Sequence, residues 1–244
     1  MWLTEPWAAC DPPQKSPQNE LVDFLVKIPG FLEDQLQLER SPSETGRQDL
    51  IFRTMRQLDH LYQWRWKWQT LNPDVSWEME PQRVASPQLL AKARVFRKVL
   101  WFSSFTKATE IALYNAVLLC LLGLLWTLQP PPDQGHRAMG LSPSPLHLPG
   151  EANSLLDPAV EICRVFEFQL LNFRRNSDAA LFWLLPVSLA RRVLEDERPY
   201  LDWIRGMLDT SEVTRGYGTG DNVFGFGSYP FPKVSRAMAP RVQP

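Results

Sequence analysis

Eighteen consecutive residues, Ile111 to Leu128, carry no charge. A run of this kind leaves the chain two ways to fold. It can span a bilayer, which takes roughly 17–25 apolar residues. Or it can form a central helix, hydrophobic all round because other helices enclose it. The flanks favour enclosure. Tyr114 and Asn115 sit in its first half, Lys107 and Glu110 lie just before it, and no basic cluster follows Leu128. Gln129-Pro130-Pro131-Pro132-Asp133 ends the run sharply.

An enclosed helix needs amphipathic neighbours, and the chain supplies them. Leu21, Phe24, Leu25, Ile28, Phe31 and Leu32 recur at helical spacing across Pro29-Gly30, which predicts two short helices or one kinked helix. Ser41-Pro42-Ser43-Glu44 is a helix-start signal with serine as cap. Ile51, Met55, Leu58, Leu61, Trp64, Trp68 and Leu71 then step by three and four along one face of a long helix. Arg53, Arg56, Arg65 and Lys67 fall mostly elsewhere, and Asn72-Pro73-Asp74 stops the helix. A further run starts at Gln88 with Leu89, Leu90, Ala93 and Phe96, and Ser103 or Ser104 caps the helix that follows.

Asp157-Pro158 reads as an acidic cap with proline at the first helical position. Ala159, Ile162, Cys163, Phe166, Leu170 and Phe173 share the face that follows. Ser177-Asp178 opens a helix carrying Leu181, Leu184, Leu185, Val187 and Leu189, with a kink expected at Pro186. Pro199 starts a last helix with Leu201, Ile204 and Leu208. No alternating β-branched run and no internal repeat stands out. The expected fold class is therefore all-α, an irregular bundle of about seven or eight helices around one core.

Around this bundle the sequence marks less regular parts. Residues 1–18 hold four prolines and read as an extended arm. The helical domain is expected over 19–214, with a linker at 73–87 and a proline-rich surface loop at 129–156 that need not pack and leaves His136 and His147 solvated. Residues 215–244 are rich in glycine, proline and aromatics and read as a loosely ordered tail.

Several function classes are disfavoured. Lys+Arg (26) nearly balances Asp+Glu (27), so no direct nucleic-acid binding is expected of this chain. Cys10, Cys120 and Cys163 are far apart and no CxxC occurs, which points to a reducing, intracellular setting. The first residues show no basic region followed by an apolar run, so no signal peptide is expected.

His60, His136 and His147 have no metal-ligand spacing, and no metal or cofactor is expected. His60 and Asp59 are adjacent in sequence and so do not share a helix face. Gly216-Tyr217-Gly218-Thr219-Gly220 lacks the preceding strand that a phosphate loop needs. Glu195-Asp196-Glu197 reads as a solvated turn. No nucleophile elbow or P-loop is present, and no enzymatic activity is expected. Trp64-Arg65-Trp66-Lys67-Trp68 interleaves aromatics and bases, as nucleic-acid stacking surfaces do. On a helix, however, Trp64 and Trp68 face the core while Trp66 points away, as a docking residue for another chain.

These segments, in their order, resemble the region that follows the DNA-binding module in fungal zinc binuclear cluster transcription factors. The resemblance is carried by Trp2 to Trp7, by Ile28-Pro29-Gly30-Phe31-Leu32, by Leu61 to Trp64, and by Phe105 to Leu125 with Ala108, Leu113, Tyr114 and Ala116. It continues through Glu161-Ile162-Cys163-Arg164 with Phe166-Glu167-Phe168, Leu184-Leu185-Pro186-Val187, Trp203 to Met207 and Arg215-Gly216-Tyr217. The cysteine-rich zinc module of that family has no counterpart here, so zinc and DNA binding do not carry over. The resemblance implies an all-α regulatory domain in the nucleus or cytoplasm. It would act through self-association, contacts with the transcription machinery or small-ligand sensing, in transcription regulation often tied to secondary metabolism. It also lowers the membrane reading, in which residues 111–128 would anchor a small membrane-associated protein.

Overall fold

The computed structural model describes residues 15–81, 95–130, 145–152, 154–172 and 180–208, with side chains in the last stretch from Trp183 onward. In chain order the elements are α1 (Pro17–Leu25), α2 (Ile28–Arg40), α3 (Glu44–Leu71), β1 (Ser76–Met79), β2 (Val99–Phe102), α4 (Phe105–Leu128), α5 (Leu156–Leu171), α6 (Ala180–Val193) and α7 (Arg198–Leu208). Among the described residues the protein is thus mostly helical, with one two-stranded sheet.

The uncharged run is the centre of α4. Every residue from Ala108 to Leu124 is buried. Helices α5, α3, α6 and α1 pack around it, so no side of it is left for solvent. Each Å² of apolar surface this wrapping removes from water favours the fold by about 25 cal/mol.

Local chemistry sets the helix ends. Ser16 Oγ accepts a hydrogen bond from the Asn19 amide, and Pro17 opens α1 two residues ahead of the expected start. The break expected around Pro29-Gly30 falls just before them, at Val26-Lys27, and Pro29 sits in the first turn of α2 where its missing N–H costs nothing. Ser43 caps α3 through the Gly46 amide, and Asn72 ends it before Pro73. Ser104, of the two candidate serines, caps α4 through the Lys107 amide at 3.3 Å. Ser104→Ala is expected to cost about 1 kcal/mol, read as a lower urea midpoint with unchanged helicity by circular dichroism.

The structure departs from the sequence expectations in several places. The segment expected to be a linker contains β1, which pairs antiparallel with β2 in the register Ser76 with Phe102 and Met79 with Val99. Four-residue strands are too short for period-two alternation to show. What holds them is packing on α5, where Trp101 and Phe102 meet the Phe168 ring at 5.1 and 5.3 Å. Phe96 lies outside any helix, against Tyr200 and Trp203.

On α3 the buried set is Leu50, Ile51, Thr54, Gln57, Leu61, Trp64, Arg65 and Trp68. Met55 and Leu71 are 52% and 69% exposed, because each lies roughly 100° round the helix from the centre of that arc. Arg65, expected off the core face, is fully buried. Helix α5 starts at Leu156, with Leu155 at the cap position; Asp157 sits in the first turn and its carboxylate reaches back to the Ser154 amide.

Ala159, Ile162, Cys163 and Phe166 form the inner face of α5, and Trp203, Ile204, Met207 and Leu208 that of α7. Pro186 lies inside α6. The expected arm lies almost wholly, and the tail wholly, outside the described residues. So do Leu89, Leu90, Ala93, His136, Phe173, Ser177-Asp178 and Gly216 to Gly220, and nothing is described of the Leu181 side chain.

Candidate functional site

Chemistry-bearing side chains gather where α3, α4 and α5 meet the strap 145–152. Glu161, on α5, is 1% exposed. One of its carboxylate oxygens accepts from Asn115 Nδ2 of α4 at 2.8 Å. The other takes two contacts from the strap, the His147 backbone amide and His147 Nδ1, each at 2.7 Å. The expectation that His147 is solvated is therefore corrected, and Leu146 beside it is buried. The strap packs because a buried carboxylate requires donors, and the strap supplies two of the three.

The titration of this pair follows from the geometry. Burial alone would raise the Glu161 pKa; the hydrogen bonds and charge of His147, with the Asn115 amide, more than offset it and leave it lowered. The carboxylate in turn holds His147 above the ordinary imidazole range, against burial.

Arg65 completes the cluster. Nη1 donates to Gln69 at 2.8 Å and Nη2 to the His147 carbonyl at 3.4 Å, while buried Nε has no partner among the described residues. The guanidinium lies 4.9 Å from the Trp68 ring and 5.9 Å from the Tyr114 ring. Such faces hold a buried cation that carboxylates alone do not neutralise. Burial draws the Arg65 pKa down, opposed first by Glu161, yet an arginine stays charged. Trp64 stacks on Tyr114 at 5.9 Å, and burial pushes the Tyr114 phenol up. One step along, Trp68 Nε1 donates to buried Glu110 at 2.6 Å, and Lys107 reaches the same oxygen at 2.9 Å.

This arrangement ties four segments together. Both Glu161 oxygens are occupied and the carboxylate is closed to solvent, which suits a brace rather than a proton-transfer site. Sequence reasoning missed Arg65 and His147. The clue to Arg65 was an arginine between core tryptophans on a helix whose buried arc is wide; for His147 no local signal exists.

An open groove of about 380 Å³ runs between α1 and α3, lined by Glu20, Asp23, Lys27, His60, Trp64 and Lys67, among others. Its charges pair with neighbours: Lys67 with Glu20 at 3.7 Å and Lys27 with Gln57 at 3.3 Å. Among the described residues no hydrogen bond orients His60, and no group of three His, Cys, Asp or Glu side chains is gathered for a metal ion. Glu195 and Asp196 are exposed in the turn after α6. Cys120 and Cys163 are buried and joined by no disulfide among the described residues, and burial pushes the Cys163 thiol up, away from reactivity.

Trp66 is 49% exposed on the outer face of α3. Helix α4 is long and apolar enough to cross a membrane by length and composition, and 78% of its most apolar window is buried inside the protein. No family model, curated protein or solved structure matches this chain.

Proposed function

We propose that this chain is a helical regulatory domain of the type that follows the DNA-binding module in fungal zinc-cluster factors, acting in transcription through protein contacts and without a DNA-binding module of its own. One observation carries the reading. Among the described residues, four of the segments that bear the resemblance are joined through their side chains: Trp64 stacks on Tyr114, Asn115 bonds to Glu161, and Phe166 meets Trp203 edge-on at 6.5 Å. Their side chains brace the fold, which leaves the outer surface, Trp66 included, for partners. A nuclear location and a link to secondary-metabolite genes follow from the resemblance alone.

Fusing the full chain to a heterologous DNA-binding module tests this in a reporter strain. A several-fold change in reporter output over the bare module is expected, together with no band shift for the unfused chain at physiological salt. An indifferent reporter would overturn the regulatory reading, and a sequence-specific shift would overturn the part about DNA.

A second reading, a small membrane-associated protein anchored by residues 111–128, has the length and apolarity of α4 in its favour. Moving α4 into lipid would break the Asn115–Glu161 and Trp68–Glu110 bonds and strip the core from α3 and α5. Carbonate extraction separates the two. Release into the supernatant is expected; retention in the pellet would favour the anchor.

A further inference from the structure

We propose that the strap 145–152 is a proton-controlled clasp. The charged imidazole of His147 fastens it to Glu161, and loss of that proton lets the strap lift away while the helical bundle stays folded. The proposal stands apart from the regulatory reading and needs no partner molecule.

The strap is held differently from the helices around it. It forms neither helix nor strand, and of its residues only Leu146 is buried. The described polar contacts converge on His147. Its amide and its Nδ1 each meet Glu161 at 2.7 Å, and its carbonyl accepts from Arg65 at 3.4 Å. Beyond that point, Arg164 Nη1 donates to the Pro145 carbonyl at 3.3 Å and the Tyr62 hydroxyl bonds with the Gly150 backbone. The pair is also unevenly buried. The Glu161 side chain is 1% exposed and that of His147 is 34% exposed, so the imidazole can trade its proton with water while the strap is closed.

The groups around His147 favour its charged form. Glu161 and Asp157 on α5 and Glu151 in the strap are carboxylates, set against the cations Arg164 on α5 and Arg65 on α3. Tyr62 on α3 and Tyr114 on α4 are pushed up by burial and stay neutral. His147 is accordingly held above 6.5, so the clasp is complete below 6.5 and loosens as pH rises through the folded value. At the acid end, Glu161 gives up its charge only below its lowered value. Deprotonation of His147 replaces an ion pair with a neutral donor, a weaker bond to the carboxylate. Lifting the strap then admits water to Glu161 and to Arg65, which is fully buried with Nε unpartnered among the described residues. Rehydration of both charges favours the open form. Opening bares a cation flanked by the Trp68 and Tyr114 rings.

Hydrogen exchange by mass spectrometry on the full chain, from about pH 5 to about pH 9 and corrected for the intrinsic pH dependence of exchange, tests this. Protection of the peptide holding His147 is expected to fall at least ~5-fold across that range, with peptides of α4 unchanged. His147→Gln keeps a neutral donor and cannot be charged. It is expected to show the low, alkaline level of strap protection at every pH, again with α4 unchanged. Strap protection that is flat with pH in the wild type would overturn the clasp. So would a fall shared equally by α4, or a pH step that survives in His147→Gln.

Discussion

Glu161→Ala is expected to cost about 3–5 kcal/mol of folding stability, the usual result of removing one partner of a buried, hydrogen-bonded charge pair. The substitution strips an acceptor from Asn115, from the His147 amide and from His147 Nδ1 at once. It also leaves Arg65 without the carboxylate that most opposes its burial. His147→Ala is expected to cost less, because the strap amide keeps its bond. The loss should also depend on pH. The Glu161 pKa is lowered by folding, so its contribution is present above its ordinary value of 4.5 and fades as pH falls through the folded value. The His147 pKa is raised, so its contribution is complete below 6.5 and fades as pH rises through the folded value. The gap between wild type and Glu161→Ala, measured by urea unfolding, is therefore widest between 4.5 and 6.5. A loss under ~1 kcal/mol, flat across pH, would mean that the carboxylate is not dehydrated in the folded protein.

Trp68→Ala is expected to cost about 3–5 kcal/mol, the range for truncating a buried tryptophan. Three separate interactions depend on that ring. It stacks on Trp64 at 6.4 Å, it presents a face to Arg65 and Lys107, and its Nε1 hydrogen-bonds Glu110. Trp68→Phe keeps the aromatic face and removes the donor. It isolates the charged hydrogen bond, expected at about 1.5–3 kcal/mol. If both variants cost the same, the ring faces contribute little and the bond to Glu110 accounts for most of the loss. If Trp68→Phe is neutral, Lys107 alone satisfies the carboxylate. Either result is readable in urea midpoints at constant slope.

The helical character was legible where a helix announces itself locally, as α3 and α4 do. Ser43 and Ser104 sit one residue before their helices and bond to the third residue on, a relation fixed within four positions of chain. The outward direction of Trp66 likewise needs only the rotation per residue of a helix. The errors share a different cause. Met55 and Leu71 were placed inside because steps of three and four drift round a helix, and only the width of the buried arc tells which members stay within it. The strands escaped notice because their stability lies in contacts with Phe168, far along the chain.

Composition alone required that Ile111 to Leu128 be covered, since a helix without a polar side cannot face water at tolerable cost. The amphipathic stretches elsewhere in the chain offered one such cover and lipid the other; the packed structure supplies the first. Which polar groups would go in with them was settled only by assembly. Arg65 and the His147 carbonyl are 82 positions apart, Asn115 and Glu161 are 46 apart, and no spacing rule joins either pair. A charge can leave water only when its partners arrive at the same place, and that place does not exist until the helices have packed.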